Sequence, residues 1–134
     1  MCDRKNAVMM LALAKEDLAL LEVLREDDRI SNRLFGFHAQ QVVEKALKAW
    51  LALAGVDYPK IHDLQELLAI LAGRGEAVSA EFKDLRFLTP FAVLFRYGGA
   101  EEPDPHLERA ALIEAVAAVV EHVERLVGAA GSSP

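Results

Sequence analysis

The chain contains one cysteine, Cys2, in 134 residues. A single thiol excludes an internal disulfide framework and a zinc site built from cysteine clusters. Glycine and proline are also scarce, with 8 and 5 residues, and they collect at a few breaks between longer segments. This scarcity of helix breakers favours long helices over a loop-rich or β-rich architecture.

Long apolar runs and excess positive charge are also missing. The apolar run from Ala7 to Ala14 is much shorter than the roughly 20 residues of a membrane-spanning helix, and Lys15 follows it directly. Lysine and arginine total 15 against 21 aspartates and glutamates, which argues against a surface coated with cations for nucleic acid. We therefore expect a cytoplasmic protein that does not associate with membranes.

The residues that are abundant favour one helical domain. Hydrophobic residues make up 53% of the chain, which is enough for a packed core, and no strand-like alternation of useful length occurs. Alanine, leucine and glutamate are abundant, and they, like lysine, are good helix formers. We predict a single all-α domain over residues 1–134, an up-and-down antiparallel bundle of four to five helices with a flexible tail over 129–134.

Capping residues and breakers set the expected helix boundaries. The predicted helices run from Asn6 to Asp27, from Ser31 or Asn32 to Ala54, from Leu64 to Ala72, from Ser79 onwards, and from Pro105 or His106 to just before Gly128. Ser31 and Asp63 are expected N-caps, and Gly55 is an expected helix stop. Pro90 is expected to kink or split the fourth segment, because it lacks a backbone N–H.

The second predicted helix carries an unusual polar stripe. At about 100° per residue, the side chains of His38, Gln41, Lys45 and Lys48 fall on one side, and the opposite side is apolar. An imidazole, an amide and two ammonium groups can hold a phosphate and base edges. The same stripe can also be a solvated face or a contact in a dimer.

Charge distribution also favours this helix as the place for a polyanion. Residues 32–60 hold four basic residues against two acidic ones, whereas residues 100–127 hold two basic residues against seven acidic ones. Binding of a polyanion releases counterions and depends on local positive charge. If the chain binds a nucleic acid, we expect the second helix to contact it and the last helix to stay clear.

At these residues the sequence resembles a known family. Residues 37–49, which read FHAQQVVEKALKA, resemble the signature helix of the HEPN domains, the "higher eukaryotes and prokaryotes nucleotide-binding" family. Two later markers also fit, His62-Asp63-Leu64 and Arg96-Tyr97 ahead of the last helix. The family pattern commonly continues with proline after the Arg-Tyr pair, whereas this chain has Gly98 after Tyr97.

The resemblance implies a helical bundle, commonly a homodimer, that is often encoded beside a small nucleotidyltransferase as a toxin–antitoxin-like pair. It implies a module that binds a nucleotide, RNA or a protein partner. Taken with the polar stripe, it selects candidate binding residues, which are His38, Gln41, Lys45, Lys48, His62 and Arg96. No cofactor is implied, and the sequence has no HExxH motif or cysteine pair for a metal.

Family members include ribonucleases that carry arginine, four to six residues, and then histidine. Arg33 and His38 match this spacing, but the family motif belongs to a later helix, where Arg96 and His106 are too far apart. Five residues along a helix also turn about 140°, so Arg33 and His38 of one regular helix face different directions. They can contact the same phosphate only if Arg33 lies in the loop or the first turn, or if a twofold partner supplies one of the two residues. We predict a binding or partner module; a metal-independent ribonuclease using Arg33 and His38, or a dimeric scaffold without a ligand, are the alternatives.

The remaining histidines and the phenylalanines suggest structural roles. His62 is expected to anchor a loop or to join the cleft of the second helix, His106 to cap the last helix, and His122 to face solvent beside Glu121 and Glu124. Four phenylalanines follow one another at roughly helical spacing, namely Phe82, Phe87, Phe91 and Phe95. We expect this set to supply core contacts and an apolar patch for a homodimer.

Overall fold

A computed structural model describes residues 2–58, 60–92 and 107–131. The helices with both ends in these ranges are Arg4–Leu24 (α1), Asn32–Leu53 (α2), Leu64–Gly73 (α3), Ala80–Asp84 (α4) and Arg109–Gly131 (α5). A short 3-10 helix, Leu85–Leu88, follows α4. The described ranges contain no strand, and the prediction of an all-α bundle is confirmed.

Side-chain caps begin the helices at the expected places. Ser31 accepts a hydrogen bond from the backbone N–H of Leu34 at the start of α2, and Asp63 accepts one from Gln65 at the start of α3. Such caps satisfy N–H groups that lack a partner in the first turn. Gly55 has φ of 74° after α2, a backbone conformation that glycine adopts without a steric penalty.

The α2 helix is the centre of the bundle. It packs against α1, α3 and α5, and every residue from Val42 to Ala52 except Lys45 is buried. The sequence predicts one apolar side for this helix, but burial here extends around almost the whole circumference. Because helices surround α2, polar side chains of the predicted stripe must find partners inside the protein.

The segment after Ser79 breaks earlier than expected. The α4 helix tightens into the 3-10 helix Leu85–Leu88, and residues 89–92 are helical again, with Pro90 among them. Pro90 has no N–H to donate to the carbonyl of Arg86, and its ring crowds that carbonyl. The chain therefore departs from α-helical geometry one turn before the proline, and the hydroxyl of Thr89 accepts from the N–H of Leu64.

The α5 helix continues beyond its predicted end. It runs through Gly128 to Gly131, where the tail over 129–134 was expected to begin. A glycine inside a helix costs only about 1 kcal/mol relative to alanine, and the two alanines that follow are strong helix formers. The expected start at Pro105 or His106 lies outside the described residues.

An aromatic cluster packs α5 against the middle of the fold. The ring of His122 lies 4.8 Å from that of Trp50 and 5.4 Å from that of Phe82, so the expectation that His122 faces solvent is wrong. Burial, and secondarily the charge of Arg125, lower the pKa of His122 below 6.5. The Trp50 indole also donates to Oε1 of Glu76 at 2.7 Å, which satisfies its N–H.

The other phenylalanines of the predicted set separate by burial. Phe91 is fully inside the core, Phe82 is partly buried, and Phe87 is about half exposed. Phe95 lies outside the described residues. Among the described phenylalanines of this set, Phe87 is therefore the one whose side chain is exposed enough to contact a partner.

Arg109 joins the start of α5 to the loop between α1 and α2. Its guanidinium lies over the ring of Phe35, with 4.7 Å between the guanidinium carbon and the ring centre. It donates to four oxygen atoms, namely Oδ1 of Asn32 and the carbonyls of Leu24, Asp27 and Ile30. One side chain therefore supplies donors to the carbonyls that end α1 and to the loop that follows.

No helix within the described ranges is long and apolar enough to cross a lipid bilayer.

We predict that Arg109→Ala lowers the free energy of unfolding by about 2–3 kcal/mol, because several partly buried carbonyls lose their donor. Arg125→Ala, at an exposed position of the same helix, is the control and should change it by less than about 0.5 kcal/mol. Urea denaturation followed by circular dichroism measures both. Equal effects of the two substitutions would contradict the structural role of Arg109.

Candidate functional site

Two side chains of the predicted stripe meet on one carboxylate of α1. Nδ1 of His38 lies 3.2 Å from Oδ1 of Asp17, and Nζ of Lys45 lies 2.5 Å from Oδ2 of the same residue. A carboxylate only accepts hydrogen bonds, so His38 donates through Nδ1 and its Nε2 is left for another partner. About a quarter of each of these two side chains is exposed, which places the group at the surface between α1 and α2.

A second polar group is buried around Glu44. Its carboxylate accepts from Nε2 of Gln40 at 2.8 Å and from Nζ of Lys48 at 3.1 Å, and Nδ1 of His62 lies 3.1 Å from both of its oxygens. Gln40 and Glu44 are buried, as is Lys48, whose ammonium also lies 5.7 Å from the ring centre of Tyr58. The ring of His62 is half exposed and covers this group from outside.

Burial alone would raise the pKa of Glu44, since it disfavours the charged carboxylate. The hydrogen bonds from Gln40 and His62, together with the charge of Lys48, outweigh burial and hold the pKa below the usual 4.5. The carboxylate is therefore ionised at neutral pH despite its position inside the bundle. It is matched by the ammonium of Lys48, so the group does not bury an uncompensated charge.

Gln41 and the loop before α3 are connected to the buried group through Gln40. The side chain of Gln41 donates to Oε1 of Gln40 at 2.7 Å, and Gln40 also donates to the backbone carbonyl of His62 at 3.1 Å. This carbonyl precedes the cap of α3, so the loop before α3 is held against α2. His62 thus combines the loop-anchoring role and the contact with the second helix that were both considered from the sequence.

The predicted stripe therefore separates into a surface pair and a buried set. The structure brings His38 together with Lys45, and Lys48 together with His62, whereas Gln41 contacts the buried set through Gln40. Two carboxylates match two ammonium groups, so the excess of positive charge expected on this helix is largely compensated. His38, Lys45 and His62 combine exposure with nitrogen atoms or N–H groups beyond the contacts given above, and His38 and Lys45 do so side by side on one carboxylate.

The ribonuclease candidates lie in one regular helix. Arg33 is the second residue of α2 and therefore lies in its first turn, one of the arrangements that a shared phosphate requires. It still projects about 140° away from His38 around the helix axis, so a single chain directs the two side chains to different sides. Arg96 and Tyr97 lie outside the described residues.

Three residues of the site were missed from the sequence, namely Asp17, Gln40 and Glu44. A signal for two of them was present, because Gln40, Glu44 and Lys48 follow each other at i, i+4 spacing, which brings side chains together on a helix. Asp17 lies on another helix, and no local pattern predicts its pairing with α2. No group of three or more histidine, cysteine, aspartate or glutamate residues suited to a metal ion occurs within the ranges that the structure covers.

Comparison with protein-family models matches the HEPN domain over residues 7–128. Comparisons with curated proteins and with solved structures give no match. The family match covers most of the chain and includes both polar groups, α3 and nearly all of α5. It confirms the resemblance of residues 37–49 to the signature helix of that family.

We predict that Glu44→Gln destabilises the protein at pH 7 by about 1–3 kcal/mol, because Lys48 then loses its buried carboxylate. The pKa of Glu44 is lower in the folded chain than in the unfolded chain, so its stabilising effect is complete above pH 4.5. That effect is lost as the pH falls through the folded value, and the variant and the wild type should then converge.

Urea midpoints at pH 7 and at successively lower pH measure this difference in stability. Glu22→Gln, at an exposed position of α1, is the matched control and should stay close to the wild type throughout. A gap between Glu44→Gln and wild type that stays constant into the acid range would contradict the assigned role of the carboxylate.

Proposed function

The chain belongs to the HEPN domain family, and we propose that it binds a nucleotide or a segment of RNA where His38 and Lys45 meet Asp17. The observation that carries the proposal is the shared carboxylate, which positions an imidazole and an ammonium side by side at the surface. Family membership supports a nucleotide- or RNA-binding or ribonuclease-like module. Position within the signature helix supports this pair as its contact point.

The chemistry of the pair suits a phosphate. Lys45 has three N–H donors and uses one on Asp17, so two are available for phosphate oxygens. Nε2 of His38 adds a further contact for a phosphate, a ribose hydroxyl or a base edge. Gln41, Lys48 and His62 then act mainly by holding α2 and the loop before α3 in place, and Arg96 stays a candidate contact.

We predict that Lys45→Gln weakens binding of a fluorescently labelled single-stranded RNA about three- to tenfold at low salt. It should also reduce the slope of log affinity against log salt by about 0.7, because one phosphate contact is lost. Lys15→Gln is the matched control, since Lys15 pairs with Glu124 on the surface of α1 and α5. Fluorescence anisotropy, with a chelator present, measures both variants.

An equal affinity of both variants and the wild type would remove Lys45 from the site. Absence of RNA binding by the wild type, together with no binding of a labelled nucleotide, would refute the proposed ligand class. Lys48→Ala is unsuited to this test, because its expected effect on the buried Glu44 group would confuse binding with folding.

Metal-independent RNA cleavage is the second candidate function. The contact that favours it is Asp17 with Nδ1 of His38, which orients Nε2 as a general base for a ribose 2′-hydroxyl. Arg33 would stabilise charge on the phosphate, but its direction on α2 requires a second chain to complete the site. The test incubates the protein with the labelled RNA in the presence of a chelator. Cleavage by the wild type that disappears in His38→Ala would establish this activity in place of simple binding.

The proposal extends to protein partners, which are a second copy of the chain and a small nucleotidyltransferase encoded beside it in a toxin–antitoxin-like pair. The described residues include exposed large apolar side chains that such assembly would cover. The alternative of a scaffold without ligand predicts neither partner enzyme nor RNA binding.

We predict that the chain co-purifies with a nucleotidyltransferase from an adjacent gene when both are expressed and only the enzyme is tagged. A stable complex has a defined ratio of the two chains in size-exclusion chromatography with light scattering. An unrelated nucleotidyltransferase with the same tag is the control. Recovery of the tagged enzyme alone would contradict the partnership.

A further inference from the structure

The α1 helix has two apolar faces. One face, with Ala7, Leu11, Ala14 and Leu21, is buried against the rest of the bundle. The described residues include six exposed large hydrophobic side chains, and five of them lie on α1, namely Val8, Met9, Leu13, Leu20 and Val23. Within these ranges, the largest share of uncovered apolar surface is therefore on α1 and not on the segment that holds Phe87.

Four of these residues form a line with a regular repeat. Met9, Leu13, Leu20 and Val23, with Glu16 between them, are spaced by four, three, four and three residues, and we call this line the outer seam of α1. This is the heptad spacing with which two helices pack side by side. Seven residues make nearly two full turns, so the seam stays on one side along a helix roughly 30 Å long.

Charge is divided between the two ends of α1. Arg4 and Lys5 lie at its start after Asp3, which leaves one net positive charge there. Glu22 lies in its last turn, and residues 25–29 just beyond it add three acidic residues and two basic ones, which gives the end two net negative charges. Two copies of α1 placed side by side in opposite directions bring the basic start of each near the acidic end of the other. A parallel pair would bring like charges together, and its helix dipoles would also repel.

We infer that the outer seam of α1 is the surface on which a second copy of this chain docks, with the two α1 helices antiparallel. The inference rests on the homodimer included in the proposed function and names its surface. Apolar repeat and charge complementarity point to the same occupant, a copy of α1 itself. This places the interface on a different part of the chain from the phenylalanine segment considered from the sequence.

Replacing Glu16 tests the outer seam through an increase in the affinity of the dimer. It is the one charged member of the seam, and a carboxylate packed against leucines of a partner loses hydration without gaining a counter-charge. Glu16→Leu should therefore tighten the dimer at least tenfold. Since Glu16 is exposed, this substitution leaves the core of the bundle unchanged.

The test compares dimer dissociation constants by analytical ultracentrifugation, with circular dichroism as the check on folding. The double substitution Met9→Gln and Val23→Gln should weaken the dimer at least tenfold. Phe87→Gln is the matched control at the competing surface, because Phe87 is about as exposed as Met9. It should change the dissociation constant by less than about threefold.

The outcomes separate the interface from the dimer itself. A dimer that responds to Phe87→Gln and not to the seam variants overturns the outer seam but leaves the proposed homodimer. A wild type that is monomeric at micromolar concentration, and stays so with Glu16→Leu, overturns both. RNA binding by the wild type is measured separately and depends on neither result.

Orientation has its own test. Lys5→Glu should weaken an antiparallel dimer, and adding Glu26→Lys to the same chain should restore its dissociation constant to within about threefold. Both residues are exposed, so the exchange does not disturb the core. A failure of the second substitution to restore binding would overturn the antiparallel arrangement.

Discussion

The ionised carboxylate of Glu44 inside the bundle constrains much of the remaining structure. A charge at this depth is tolerated only with full hydrogen bonding and a counter-charge, and here the partners come from both α2 and the loop before α3. Gln40 and Lys48 sit one turn away on either side, whereas His62 must be delivered by the chain that leaves α2. The register of that loop, and with it the start of α3, is thereby tied to the central helix.

This arrangement divides the signature helix between two tasks. Its buried polar residues form hydrogen bonds with one another, and its accessible polar residues, His38 and Lys45, contact the carboxylate of Asp17 on α1. A motif that looks like one binding stripe in a helical projection is thus partly a device for packing a helix on all sides. A family assignment alone gives no indication of which residues serve which task, because fold and site are separable.

Local patterns predict the number of helices and most of their starts, but not the contacts that form the site. Caps at Ser31 and Asp63 and the stop at Gly55 depend on neighbouring residues, so the sequence predicts them well. The sequence predicts the end of α5 too early, because a glycine weakens a helix without forbidding it. The charged neighbours of His122 predict a solvent-facing ring, yet its own side of α5 contacts Trp50 and Phe82. Asp17 pairs across two helices, and such contacts have no signal in one local stretch.

Gly36 and Phe91 lie together where α2 meets the segment after the 3-10 helix. A methyl group at position 36 would come within 2.1 Å of the Phe91 ring, so the absence of a side chain at Gly36 is what allows that ring to enter the core. The ring itself is almost wholly inaccessible to solvent, which leaves it little freedom to retreat. The two positions are therefore sterically coupled: alanine at position 36 requires a smaller side chain at position 91, and a smaller side chain at 91 alone leaves a cavity in the core.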